Sequence, residues 1–172
     1  MGSGKPEAPV GSGRHSAAHL RHRARRTFQF AQDWQLPGPP DAVFALLADP
    51  DGYPQWWPQV RRVARTGEFT GHAWVRSVLP VTLKLDLTRD VVDPVSGRLR
   101  VRIDGDLIGW AAWTIGSDGS ATRAHFTQEV VLAHRWLGHV AGLAGPVLRA
   151  NHNAMMRAGE RGLGRHLARH TP

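Results

Sequence analysis

The sequence predicts an α+β fold: a curved, seven-stranded antiparallel sheet with two short helices after strand 1 and a long C-terminal helix packed over the sheet. Three patterns carry this expectation. Between Val60 and Leu132 apolar side chains recur at every second residue and turn residues interrupt them at short, regular intervals, as in a meander of strands. After Leu132 the apolar spacing becomes helical. Before Val60, one alternating stretch is cut by a proline-rich break and followed by a short segment with a helical apolar face. At 172 residues, with 41% hydrophobic residues and seven tryptophans, the chain suits a single domain with a substantial core.

Order is expected to begin at Thr27, where Phe28, Phe30, Trp34 and Leu36 nearly alternate with polar residues as in a half-buried strand. Pro37-Gly38-Pro39-Pro40 breaks that strand. Proline in a first helical turn lacks only a donor that is not needed there, and Asp41 suits the positive end of a helix. A short helix therefore follows, with Val43, Phe44, Leu46 and Leu47 as its apolar face. Asp49-Pro50-Asp51-Gly52 ends it before a second brief helical turn from Tyr53 to Trp57. In the meander, Val81, Leu83, Leu85 and Leu87 alternate with Thr82, Lys84, Asp86 and Thr88, and Leu99, Val101 and Ile103 with Arg98, Arg100 and Arg102. Each such strand buries one face. Turns are expected at Gly67 to Gly71, Pro80, Asp93 to Gly97, Asp104-Gly105-Asp106 and Ser117-Asp118-Gly119, which leaves six strands after the first. The final helix puts Trp136, Val140, Leu143, Val147, Leu148, Asn151, Met155 and Leu163 near one stripe, with Gly145-Pro146 as a kink or a restart.

Residues 1–26 are rich in Gly, Pro, Ser and cations and lack apolar periodicity, so they are expected to form a disordered basic tail ahead of a folded domain over 27–168. The net charge of +8 sits at the two ends. Lys5, Arg14, Arg21, Arg23, Arg25 and Arg26 face only Glu7 at one end, and Arg157, Arg161, Arg165 and Arg169 face only Glu160 at the other, leaving the body between them neutral. Cations that are not interleaved with aromatics argue against specific nucleic-acid recognition. With no cysteine, disulfides and thiolate metal sites are excluded. No basic stretch runs into an apolar segment near the N-terminus, and Trp136 to Leu148 is short and interrupted, so a cytoplasmic protein is expected. Nucleophile-elbow, phosphate-loop, dinucleotide and EF-hand motifs are missing, and no cofactor is expected.

This succession of elements resembles the helix-grip superfamily that groups START lipid-transfer domains, plant pathogenesis-related allergens and bacterial polyketide cyclases, often called SRPBCC. VFALLADPDGYPQWWPQV at residues 43–60 is similar to the helix, turn and aromatic lead into the second strand of that superfamily. DGDLIGWAAW at 104–113 and ANHNAMMRAGERGL at 150–163 resemble its polyketide cyclase/dehydrase-like branch, and the resemblance covers residues 27–167. It implies a pocket between the concave sheet and the long helix that takes mostly apolar ligands with a few fixed polar groups. Transporters, receptors, cyclases and hydrolases share this fold, so it implies no single chemistry.

Polar residues that interrupt apolar faces are the candidate ligand contacts, because a buried polar group needs a partner and a ligand can supply it. Gln128 interrupts the series Ala124, Phe126, Val130, Leu132, the plainer reading being an amide satisfied by backbone or water. Asn151 and His152 interrupt the helical stripe one turn before Met155 and Met156. His152 could act as a general base at neutral pH, against the commoner role of a histidine packed on a strand. Trp74, Arg76 and Trp113 form a third group, in which an arginine in an aromatic-lined pocket could anchor an enolate, phenolate or carboxylate. Two inward sets, His72, Trp74, Arg76, Val78 and Ala73, Val75, Ser77, Leu79, are nearly equal, so a solvated Arg76 is the alternative.

The expected ligand-binding set is thus Trp74, Arg76, Trp113, Gln128, Asn151, His152 and Met155, with no catalytic residue assigned. Tyr53, Trp56, Trp57 and Pro58 could form an aromatic lid, although plugging the end of the core is the stronger expectation. Asp104 and Asp106 read as solvated turn carboxylates rather than a paired acid and base. His166 and His170 have helical i, i+4 spacing but no third ligand, so a solvated helix end is expected and no metal.

The expected function is binding or transport of a hydrophobic small molecule, of polyketide, isoprenoid or lipid-like character, between sheet and helix. The alternative is a cyclase or aromatase-type enzyme in which Arg76, Gln128 or His152 orients or deprotonates a reactive chain. A less favoured third is a nucleic-acid or ribosome-associated protein acting through its basic ends. Those ends also suit transient contact with an anionic membrane surface. An all-apolar cavity would favour carriage, and convergence of Arg76, Gln128 and His152 would favour chemistry.

Overall fold

A computed structural model describes residues 27–76, 81–133 and 145–170. Strand β1 (Thr27–Pro37) leads into α1 (Pro40–Ala48), a single 3-10 turn (Pro50–Gly52) and α2 (Tyr53–Trp56). Then come β2 (Val60–Arg65), β3 (Thr70–Arg76), β4 (Thr82–Asp93), β5 (Arg98–Gly105), β6 (Leu107–Asp118), β7 (Ala121–Leu132) and the helix α3 (Gly145–His170). The strands form one antiparallel sheet in the order β1-β7-β6-β5-β4-β3-β2. The seven strands, the two short helices after strand 1 and the long C-terminal helix are therefore present as expected. The basic tail, the Pro80 turn and the early helical positions Trp136, His139, Val140 and Leu143 lie outside the described residues.

β1 pairs with the last strand along its whole length, from Thr27 opposite Val131 to Pro37 opposite Ala121. The first strand is thus carried to the far edge, and α1 and α2 lie in the connection back to β2. Register shifts between Val60 and Arg62 in β2 and between Arg89 and Val91 in β4 add local bend to a sheet whose strands already twist. One face receives Phe28, Trp34, Leu36, Leu85, Leu99, Ile103, Trp113 and Phe126, all buried.

The second half of α3 packs hard against this face. Met156 and Leu163 are fully enclosed and Leu167 nearly so. Two glycines let the helix come this close: a Cβ at Gly159 would run into the Trp57 and Trp34 rings, and one at Gly162 into the Trp56 carbonyl. Trp34 meets Trp57 edge-on at 5.4 Å between ring centroids and Trp113 at 4.7 Å. Glu160 accepts the Gln35 backbone N–H at 2.9 Å, tying α3 to β1. Tyr53, Trp56 and Trp57 therefore plug this end of the core, as the stronger of the two sequence readings expected.

Two expectations need correction. The buried line of α3 runs through His152, Met156, Gly159, Leu163 and Leu167, while Val147 is 43% exposed and Asn151 and Met155 are only half-buried. The buried stripe is turned about one residue from the predicted one, because the glycines bring the Met156–Leu167 side down onto the tryptophans. Asp106 is not solvated but 2% exposed. Its carboxylate accepts the Lys84 backbone N–H at 2.7 Å and its own N–H donates to the Lys84 carbonyl at 3.0 Å, which straps the β5–β6 turn to β4. The Asp104 side chain stays half-exposed, 3.3 Å from Arg102.

Candidate functional site

The first half of α3 encloses, rather than fills, the space over the sheet. A cavity of about 380 Å³ lies between them, within the size range of small-molecule sites. Its hollowness follows from side-chain size: the sheet opposite the helix offers Ala73, Val75, Val101 and Ala111, too small to reach Leu148, Asn151 and Met155. Leucines of β4 and aromatic rings wall much of the rest, with Phe28, Phe30 and Phe126 on the β1–β7 side and Trp113, Tyr53 and Trp57 toward the plugged end. A smaller recess of about 150 Å³ shares Tyr53, Val63, Leu87 and Trp113 with the main cavity and continues toward Arg65, Phe69 and Arg89 near the β2–β3 and β4–β5 hairpins.

Most polar groups on this wall are already engaged. The Tyr53 hydroxyl donates to the Leu47 carbonyl at 2.6 Å, and burial, helped by Asp49, holds the phenol well above its ordinary pKa. The Trp57 indole N–H donates to the Met155 carbonyl at 3.1 Å. The distinctive feature is the pair His152 and Gln128, with Nε2 and Oε1 3.0 Å apart. His152 is 8% exposed and stacked on Phe30 at 3.8 Å between ring centroids, with Phe126 at 6.0 Å. Burial lowers its pKa to about 4 against a smaller opposing pull from the Asn153 side chain, so the imidazole is neutral at pH 7. Nδ1 is enclosed and makes no well-formed hydrogen bond among the described residues, the Asn153 side chain being its nearest polar influence. An unpaired buried N–H is the rarer and costlier arrangement, so the proton belongs on Nε2, which donates to Gln128 Oε1.

Five of the seven sequence-predicted residues, Trp113, Gln128, Asn151, His152 and Met155, line this one cavity. Trp74 and Arg76 do not. Ala73 and Val75 face inward, each paired with an inward residue of β4, Leu85 and Leu83. Trp74 lies on the outer face with the Arg62 guanidinium 4.9 Å from its ring centre, and Arg76 is exposed. The unambiguous alternation of β4 carried the signal that could have chosen between the two inward sets. Phe30, by contrast, was not anticipated as a site residue, since nothing local places residue 30 beside residue 152. Among the described residues no acid, lysine or arginine lines the main cavity, and no three His, Asp or Glu side chains converge on a metal position.

A curved antiparallel sheet closed by a long helix over an apolar cavity defines the helix-grip, START-like class. The chain belongs to the polyketide cyclase/dehydrase and lipid transport family, whose model matches residues 27–168. No curated protein matches it by sequence. Solved structures with a similar fold include the Zhui aromatase/cyclase from a Streptomyces species, at 20% identity and a TM-score of 0.68 over 86% of this chain and 97% of that one. A START superfamily protein from Mycobacterium smegmatis is similar at 14% identity and 0.65, over 83% and 99%. Norcoclaurine synthase from Thalictrum, solved as a point mutant with a transition-state analogue, is similar at 12% identity and 0.58, over 87% and 99%. At these identities the likeness is one of fold.

Proposed function

We propose that this protein holds a hydrophobic small molecule, of polyketide, isoprenoid or lipid-like character, between its sheet and α3. The observation that carries the reading is the aromatic and aliphatic cavity of about 380 Å³ in a protein otherwise packed around buried tryptophans. Filling such a space with an apolar ligand removes apolar surface from water on both sides. Native mass spectrometry of the protein purified from its own host tests this, together with thermal shifts across lipids and polyketides. A co-purifying small molecule with a ligand-dependent rise in Tm is expected. No adduct and no shift across the panel would refute it.

Gln128 and His152 inside the cavity support a second reading, cyclase-type chemistry in which they orient a folded chain. Arg76, the third member of that expectation, lies outside the cavity, which weakens the reading. Unchanged turnover in Gln128→Leu and His152→Phe, measured on a demonstrated cyclisation, would end it. The four arginines at 157, 161, 165 and 169 are all exposed along α3 and support transient contact with an anionic membrane surface. Failure to co-sediment with anionic vesicles at low salt would remove that contact. No helix among the described residues is long and apolar enough to cross a membrane.

A further inference from the structure

From the Gln128–His152 pair and a lining that holds no lysine or arginine among the described residues, we infer that the cavity selects uncharged ligands that present a hydrogen-bond acceptor, such as a ketone, quinone or ester carbonyl, over carboxylates of the same shape. The inference rests on the ligand-holding reading above and says what kind of molecule is held.

The Gln128 amide has two ends. Its oxygen accepts from His152 Nε2 at 3.0 Å, and its nitrogen finds no acceptor among the described residues. His152 cannot readily turn to offer a different atom, because it is wedged against Phe30 and Phe126 and lies 8% exposed. With the oxygen committed, the amide presents its NH₂ to a cavity it lines. His152 is thus a positioning residue: it sets which end of Gln128 a ligand meets. A carbonyl placed there completes the hydrogen bond that the amide lacks. A carboxylate would leave water to face a neutral amide, a neutral imidazole and aromatic carbon, with no lysine or arginine among the described lining residues to compensate its charge. A ligand without an acceptor would leave the amide donor unpaired.

Three probes of nearly one shape separate these cases on the unaltered full chain: 2-acetonaphthone, 2-ethylnaphthalene and 2-naphthoate, titrated by calorimetry at pH 7.5. The ketone is expected to bind about three- to tenfold tighter than the hydrocarbon, the range of one net hydrogen bond. It should also exceed the carboxylate by more than about tenfold, the least expected for an uncompensated buried charge. In Gln128→Met the ketone and the hydrocarbon should bind alike, with the hydrocarbon's affinity close to its original value. In His152→Phe the donor remains but is no longer held, and the ketone preference should shrink. Carboxylate binding as tight as the ketone's, or a ketone preference that persists in Gln128→Met, overturns the inference while leaving the ligand-holding reading in place. Binding of none of the three overturns the inference, and if the lipid and polyketide panel also gives no thermal shift, the ligand-holding reading falls with it. The probe series on the unaltered protein decides the matter even where a variant fails to fold.

Discussion

From Gly159 to Leu167, helix α3 touches Trp34, Trp56 and Trp57, whereas from Leu148 to Met155 it faces Ala73, Val75 and Ala111 across about 380 Å³. One helix, one sheet and one hydrophobic driving force produce a packed half and a hollow half. The difference lies in where bulk is placed. In the packed half the large groups are tryptophans of β1 and α2, and the helix contributes glycines that let backbone and rings meet. In the hollow half His152 reaches the strands, at Phe30 and Gln128, while Leu148, Asn151 and Met155 and the small strand residues leave space between them. Burial therefore concentrates stability at one end and leaves room for a guest at the other, which is how a small domain can hold a ligand without giving up a core.

The contrast can be broken most severely at Trp34. Trp34→Ala removes a fully buried ring that touches both Trp57 and Trp113, and should cost about 4 kcal/mol in urea unfolding. A loss under about 1 kcal/mol would mean that the packed half is not where stability resides.

A somewhat smaller effect belongs to His152 at the border of the hollow half. Its folded-state pKa, about 4, is below the ordinary 6.5, so between these values the unfolded chain binds more protons and stability falls as pH falls. The contribution is complete above pH 6.5 and is lost toward pH 4, up to about 3 kcal/mol. His152→Phe should flatten that segment of the pH–stability curve, as followed by urea midpoints at each pH. Equal slopes in the two proteins would show that the imidazole is not buried neutral.

Filling the hollow half should do the reverse of emptying the packed one. Val75→Phe, directed into the cavity, should change stability by less than about 1 kcal/mol, because there is space to receive the ring. It should also weaken 2-acetonaphthone binding at least tenfold by calorimetry, as expected when a pocket's volume is taken. A destabilisation of several kcal/mol would mean the cavity collapses or is not open in solution. The smallest effect is expected outside both halves, at the exposed Asp51–Arg65 pair, 2.7 Å apart. Asp51→Asn should shift stability by no more than about 0.5 kcal/mol.

Most of the architecture was legible in the sequence because period and punctuation are local. The alternation in β4 and β5, the proline break after β1 and the helical spacing of α3 each depend on neighbours a few residues away. So does the presence of Gln128 on an apolar strand face, or of His152 on a helical stripe. Trp74 and Arg76 were misplaced because β3 taken alone has two near-equal faces, and only pairing of Ala73 with Leu85 and Val75 with Leu83 chooses between them. Asp106 was misread for a similar reason: a turn carboxylate is ordinarily solvated, and its partner, the Lys84 backbone N–H, belongs to another strand.

By itself, then, the sequence determined the order of elements, the apolar face of each and the few polar residues that interrupt those faces. Tertiary structure alone decided that Phe30, Phe126, Gln128 and His152 meet. It also decided that Gly159 and Gly162 seat one half of α3 on tryptophans while Leu148, Asn151 and Met155 of the other half border a cavity. The physical reason is range: secondary structure answers to spacing along the chain, whereas a cavity is the space left over when side chains distant in sequence fail to fill the gap between two elements.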